Sequence, residues 1–257
     1  MSVKYEAILW NRQKKKYDRI LWIGILGVLV LFISAQLVMH PQITAETMII
    51  RATALTSFTL LHLILIIGPL ARLDDRFLPL LYNRRHLGVS MFFIAAIHGV
   101  FSIIQFHALG DSNPILSVFT SNQNYQSISE FPFQILGFFA LVILFLMAAT
   151  SHDFWLKNLS PKIWKSLHMG VYLAYALLIL HVALGALQYE DHRLYWIVLI
   201  AGFVSVSGLH IVAGVKENNR LRNEQKALLK DGFYDAGLVS EIPDDCAKTV
   251  FIKDQNI

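Results

Sequence analysis

The sequence predicts an all-α membrane protein, a six-transmembrane-helix bundle with a short incomplete β segment at the C-terminus. Composition and pattern both lead to this fold class. Hydrophobic residues make up 55% of the 257 positions. Charged residues make up only 16%, against about 25% in a typical soluble domain. The apolar residues are gathered into six stretches, each close to the ~20 residues that a transmembrane helix needs.

The six stretches are expected to be helices, because the bilayer interior offers no water to unpaired backbone groups. We interpret the first as a retained span, since its apolar run exceeds the ~7–15 residues of a signal-peptide core. The predicted spans cover residues 20–39, 52–71, 87–106, 133–150, 167–187 and 194–215.

The positive charges predict the topology. Twenty of the 22 Lys and Arg residues fall on one side of this arrangement, and only Arg51 and Arg193 fall on the other. Cytoplasmic loops carry the excess of Lys and Arg. We therefore expect a multi-pass protein of the inner (plasma) membrane with both termini in the cytoplasm and the loop 108–132 outside. Membrane lipid is the expected surrounding, and no nucleic-acid partner is expected.

The chain divides into four parts. A basic cytoplasmic segment, 1–19, precedes the transmembrane domain, 20–215. A charged helical linker, 216–230, follows it and leads to the segment 231–257, which has Gly and Pro turn signals and a β-like run. The only cysteine, Cys246, excludes an intramolecular disulfide within this chain.

Three histidines lie within otherwise apolar stretches: His98, His168 and His181. Ionisable side chains inside a bilayer usually mark a proton, ion or cofactor site, and imidazole is an axial ligand of haem iron. At ~1.5 Å per residue, His98 lies about 16 Å into the third span and His181 about 21 Å along the fifth. Their similar depth favours a shared haem. The alternative is that each is a buried polar residue bonded to a neighbouring helix.

Three segments carry a family resemblance: RRHLGVSMFFIAAIHGV at 84–100, FQILGFFALVILFLMAATS at 133–151, and WKSLHMGVYLAYALLILHVAL at 164–184. Together they resemble the ferric reductase-like transmembrane domain, over roughly 49–215. The resemblance implies a six-helix bundle with b-type haem between the third and fifth helices. It implies that His98 and His181 ligate that haem.

The resemblance also implies that His168 would ligate any second haem. Members with two haems have another third-helix histidine, 13 or 14 residues from the first. Here those positions hold Arg85 and Arg84 on the cytoplasmic side. These two arginines either pair with haem propionates, which suits a guanidinium fork, or are ordinary positive-inside charges. Three other histidines are further candidates for the second haem: His86, His62 and His210.

The C-terminal segment YDAGLVSEIPDDCAKTVFIKDQNI resembles the first strands of a Rieske [2Fe–2S] domain. A Rieske centre needs two Cys and two His, whereas after residue 216 the chain has only Cys246 and no histidine. The expectation is a piece of a longer fusion, whose missing domain would hold the [2Fe–2S] cluster. A remnant tail and an unrelated β-hairpin are the alternatives.

These observations predict a membrane b-type cytochrome that relays electrons, coupled to a Rieske domain or partner and supplied by a donor protein or quinol. The chain has no GxGxxG dinucleotide fingerprint. We therefore expect an oxidoreductase or electron-transfer component and not a complete reductase. Two alternatives stay open: a histidine-dependent transporter or proton channel, and a plain membrane anchor for the C-terminal domain.

Overall fold

The structure is a computed structural model of the 257-residue chain. It describes residues 12–128, 130–189, 193–226, 237–238, 242, 251–252 and 255–256. Most of the predicted C-terminal segment therefore lies outside the described residues, and so does Cys246. The Rieske resemblance stays a prediction.

Helices account for nearly all of the described chain. They are α1 Arg12–Met39, α2 Ala45–Leu73, α3 Leu78–His107, α4 Pro114–Thr120, α5 Phe133–Ala149, α6 Asp153–Asn158, α7 Pro161–His168, α8 Gly170–Leu184, α9 Ala186–Tyr189 and α10 Arg193–Lys226. One turn of 3₁₀ helix, Asp75–Phe77, joins α2 to α3. Two short strands, β1 Phe251–Ile252 and β2 Gln255–Asn256, pair antiparallel.

Local sequence explains where several helices begin. The Thr44 hydroxyl accepts a hydrogen bond from the Thr47 backbone N–H and caps α2. Asn113 and Ser160 cap α4 and α7 in the same way, and each is followed by a proline in the first helical turn. Proline suits that position, because the first amides of a helix have no intrahelical partner.

Five helical segments of the described chain are long and apolar enough to cross a membrane: Arg12–Met39, Ala45–Leu73, Asp75–His107, Pro161–Gln188 and Arg193–Arg220. The predicted fourth span is the 17-residue helix α5, which is about 25 Å long. The chain is thus a multi-pass membrane protein. The count of six spans stays a prediction, because it depends on whether α5 crosses the membrane.

The helix ends differ from the predicted spans. Helices α1, α2 and α3 extend beyond the apolar stretches, because charged residues continue a helix outside the hydrocarbon layer. The predicted fifth span is three pieces, α7, α8 and α9, which meet at Met169 and Gly185. Helix α10 runs without interruption through the sixth stretch and into the predicted linker as far as Lys226.

Helix α2 is the centre of the bundle and packs against α1, α3 and α10. Leu61, Leu65 and Pro69 follow one another at four-residue spacing along it and are fully buried. On the other side of α3, α5 packs against both α3 and α8. The outward faces remain apolar, as Leu31, Phe106 and Ile211 illustrate. Lipid is as good a solvent as a protein interior for such side chains.

Candidate functional site

His98 on α3 and His181 on α8 face each other inside the bundle. Their ring centres are 6.4 Å apart and the ring planes meet at 78°. Both side chains are partly buried. The structure thus brings together the two histidines that their depth along the helices had paired.

Each of the two rings is held by a backbone carbonyl of a neighbouring helix. Nδ1 of His98 lies 3.2 Å from the carbonyl oxygen of Ile50 on α2. Nδ1 of His181 lies 2.9 Å from the carbonyl oxygen of Phe133, the first residue of α5. A carbonyl only accepts hydrogen bonds, so Nδ1 carries the proton in both rings. The Nε2 atom of each neutral ring then keeps its lone pair for a metal.

The spacing of the two rings fits an iron atom between them. Two metal–imidazole bonds take about 2 Å each, and each ring centre lies roughly 1 Å behind its nitrogen, so the centres should be about 6 Å apart. Helix α5 contacts both α3 and α8, while α3 and α8 have at most marginal backbone contact with each other within the described chain. Neutral imidazole nitrogens, on rings held in place by hydrogen bonds to backbone carbonyls, would suit such an iron as ligands.

No group of three or more His, Cys, Asp or Glu side chains in the described part of the chain is arranged to hold a metal ion. A ligand set made entirely of protein side chains therefore has no candidate among those residues. Haem would need only one or two ligands from the protein, because the porphyrin supplies the other bonds to the iron. The donor set at His98 and His181 fits that requirement.

His168 lies elsewhere, at the end of α7. Its ring stacks on Trp164 with centres 3.9 Å apart, and its Nδ1 donates to the Trp164 carbonyl oxygen at 3.0 Å. Its Nε2 lies 3.4 Å from the Ser151 hydroxyl, which is also 2.7 Å from the Met147 carbonyl oxygen. The Ser151 proton suits the shorter contact, so Nε2 of His168 has only a weak partner there.

His86 and His62, two further candidates for a second haem, have different surroundings. Nδ1 of His86 lies 3.0 Å from a carboxylate oxygen of Asp18 on α1. His62 on α2 is buried, and its Nε2 has no hydrogen-bond partner in the described structure. Its ring makes an edge contact with Tyr175 on α8, with centres 5.5 Å apart. Among the described residues, neither ring makes an aromatic contact with His98 or His181.

Arg84 and His210 line one cavity of about 310 Å³, together with Arg72 and Tyr172. His210 is engaged on both ring nitrogens: Nδ1 donates to the Val206 carbonyl oxygen at 2.8 Å, and Nε2 lies 3.0 Å from the Tyr172 hydroxyl. As arranged, His210 has no free nitrogen for iron. The sequence pattern identified neither Arg72 nor Tyr172 as a functional residue.

Other residues of the site also carry little sequence signal. Ile50 and Phe133 contribute only backbone oxygens, which any residue type supplies. Gly137 on α5 lies against the His181 ring. In the sequence this contact is visible only as a glycine within an apolar stretch. The haem-binding roles of the eight predicted residues, six histidines as ligands and two arginines as propionate partners, stay predictions.

Comparison with known families gives one match over half of the chain. The profile described as ferric reductase like transmembrane component matches residues 51–179. The matched range includes His98 and His168 and ends just before His181.

Several curated relatives cover a similar range. The haem-binding subunit of the protein-methionine-sulfoxide reductase from Herminiimonas arsenicoxydans is 35% identical over 133 residues, which is 52% of this chain and 56% of that protein. The subunit of the same name from Ralstonia nicotianae is 30% identical over 131 residues, 51% of this chain and 55% of that protein. That from Polaromonas naphthalenivorans is 32% identical over 133 residues, with shares of 52% and 56%. The matched part of the chain spans about half the length of these relatives.

Proposed function

The chain belongs to the family of ferric reductase-like transmembrane components, and on this basis we propose that it is a membrane electron-transfer protein that holds b-type haem between His98 and His181. The observation that carries the proposal is the spacing of the two rings, 6.4 Å between centres, with Nδ1 of one ring on a carbonyl of α2 and Nδ1 of the other on a carbonyl of α5. The relatives from three organisms, which are named haem-binding subunits, support it.

The two histidines have a defined task in this proposal. When bound, haem supplies one-electron chemistry through its iron, and its potential depends on axial ligands, hydrogen bonds and burial. The bonds from Nδ1 to Ile50 and Phe133 fix the tautomer and the ring orientation and raise the basicity of Nε2. They also tie the ligands to α2 and α5. A shift of either helix would therefore change the orientation of the ring and the position of its Nε2 atom.

We propose one haem, with a second at His168 as the alternative. In favour of one haem, both nitrogens of His210 are engaged. In favour of a second, Nε2 of His168 has only the weak contact to Ser151. Haem stoichiometry distinguishes the two.

The electron donor and the topology belong to the same proposal. With 20 of 22 Lys and Arg residues on one side, both termini lie in the cytoplasm and the chain crosses the inner membrane six times, α5 included. A donor protein or quinol would supply electrons from the membrane or its cytoplasmic side. Coupling to a Rieske centre is supported only by the residue pattern of 231–257.

The decisive experiment measures the visible absorption and the haem-to-protein ratio of the purified protein. The reduced wild type should show b-type α and β bands with a ratio near one. His98→Ala and His181→Ala should each lose most of the haem, and His168→Ala should keep the wild-type ratio. A ratio near two that falls to one in His168→Ala supports the second haem instead.

Two outcomes would contradict the proposal. One is a haem-supplemented wild type without α and β bands. The other is a haem content that survives both His98→Ala and His181→Ala. His107→Ala is the matched control, because that histidine also lies on α3 but binds Ser117 near the helix end, with Nδ1 2.9 Å from its hydroxyl oxygen. It should bind haem like the wild type.

A further inference from the structure

The cavity between α2, α3, α8 and α10 has a polar and an apolar side. Its volume is about 310 Å³, near the lower end of small-molecule sites. Arg72, Arg84, Tyr172 and His210 form the polar side. The apolar side is formed by Leu65, Pro69 and Leu81.

The two arginines give this cavity a concentrated positive charge. Arg72 on α2 and Arg84 on α3 both line it. None of the ion pairs among the described residues includes either guanidinium. The nearest acid in sequence, Asp74, is engaged with Arg76, whose Nη2 and Nε lie 2.6 and 2.9 Å from one carboxylate oxygen. Two neighbouring cations without an acid are stabilised by an anion between them, and guanidinium groups suit phosphate.

Tyr172 adds a second type of contact. Nδ1 of His210 donates to a carbonyl, so Nε2 of the neutral ring accepts the proton of the Tyr172 hydroxyl. The Tyr172 oxygen then keeps its lone pairs for a donor such as a hydroxyl group of a ligand. A ligand with both a phosphate and a hydroxyl would satisfy the arginines and the tyrosine together.

The cavity reaches the outer surface of the bundle at Leu81 and Tyr172. Leu81 is 42% exposed and Tyr172 is 39% exposed, and both belong to membrane-spanning segments. Basic pockets between transmembrane helices near the headgroup level bind anionic lipid headgroups. A volume of about 310 Å³ suits a lipid headgroup.

We propose that this cavity is a phosphate-binding site that takes the headgroup of an anionic, hydroxyl-bearing phospholipid through Arg72, Arg84 and Tyr172. Free phosphate shares the same chemistry and is the other source of the ligand. The proposal does not depend on haem binding at His98 and His181.

Native mass spectrometry of the intact protein tests the proposal. Protein in detergent is equilibrated with equal amounts of phosphatidylglycerol and phosphatidylcholine, and the lipid retained by each variant is counted. The wild type should retain one phosphatidylglycerol in preference to phosphatidylcholine. The double variant Arg72→Gln/Arg84→Gln should lose that preference by roughly tenfold or more, because each lost charge-assisted bond is worth at least that factor.

Two further variants test whether misfolding explains a loss of lipid preference in the double variant. Lys162→Gln removes one positive charge from the exposed start of α7, on the same predicted cytoplasmic side but outside the cavity, and it should behave like the wild type. Tyr172→Phe keeps the ring and removes only the oxygen. Tyr172→Phe should weaken the preference for phosphatidylglycerol over phosphatidylcholine by a few-fold. Its elution profile in size-exclusion chromatography should stay that of the wild type.

The source of the phosphate is settled by titrating inorganic phosphate into protein held in phosphatidylcholine nanodiscs. Saturable binding that needs both arginines, without a lipid preference, supports the site with free phosphate as its ligand. Equal retention of both lipids by all variants, with no saturable phosphate binding, would overturn the proposal. It is also overturned if the double variant loses haem in parallel, since the anion would then be a propionate.

Discussion

The α carbon of Gly137 on α5 lies directly against the imidazole of His181 on α8. A Cβ atom built on Gly137 would come 2.7 Å from both Nδ1 and Cε1 of that ring. Real Cβ atoms do not approach so closely, and the ring cannot yield without straining its 2.9 Å bond to the Phe133 carbonyl. Glycine is therefore what allows α5 to support the proposed haem ligand.

Replacing Gly137 by alanine should displace the His181 ring. We expect Gly137→Ala to lower the haem-to-protein ratio and to reduce the free energy of unfolding by about 1–3 kcal/mol, the usual cost of overpacking. Absorption spectra and unfolding in mild detergent measure both effects.

Gly208→Ala on α10 is the control for that substitution, since no atom lies within 4 Å of a Cβ at this position. The Gly208→Ala protein should keep its haem. Its free energy of unfolding should rise by up to about 1 kcal/mol, because alanine is the better helix former. A Gly137→Ala protein with wild-type haem content and stability would show that the ring has room to move.

A second glycine makes the same kind of contact with His62. A Cβ on Gly202 of α10 would overlap the His62 ring. We expect Gly202→Ala to reduce the free energy of unfolding by about 1–3 kcal/mol. In a His62→Ala background the same change should cost little, because the clashing ring is gone.

Gly214→Ala, with open space around its Cβ, is the control for the Gly202 series. His62→Ala alone should leave the haem-to-protein ratio unchanged. A fall in that ratio would instead make His62 a ligand. Equal costs of Gly202→Ala in both backgrounds would contradict the predicted contact.

The pair of Asp18 on α1 and His86 on α3 should contribute modestly to packing. The two side chains are 17% and 26% exposed, between a surface and a buried pair. A double-mutant cycle of Asp18→Asn and His86→Gln should give a coupling free energy of about 0.5–1 kcal/mol. A coupling near zero would contradict this contribution. Haem content should not change in any of the four proteins.

The only cysteine offers a direct test of topology. If the C-terminus is cytoplasmic, a membrane-impermeant maleimide should label Cys246 in inverted membrane vesicles. It should not label Cys246 in intact spheroplasts. Ser112→Cys in a Cys246→Ser background should give the reverse result, because residue 112 is exposed in the loop 108–132. Labelling of Cys246 from outside would overturn the predicted orientation.

Hydropathy predicted much of the fold. The predicted stretch 133–150 and the helix Phe133–Ala149 nearly coincide. The break at Met169 was not predicted, because Met169 and Gly170 continue an apolar run. The early start of α1 was missed as well, since hydropathy marks the hydrocarbon layer and not the helix.

By itself the sequence determined the membrane class, the apolar stretches and the presence of His98 and His181 at similar depth. These properties depend on residue type and on position along single helices. Only the tertiary structure decided that the two rings face each other and are bound to the Ile50 and Phe133 carbonyls. It also decided that Arg72 and Arg84 share a cavity. Backbone carbonyls have no residue signature, and the rotation of one helix against another is set by packing between side chains far apart in sequence.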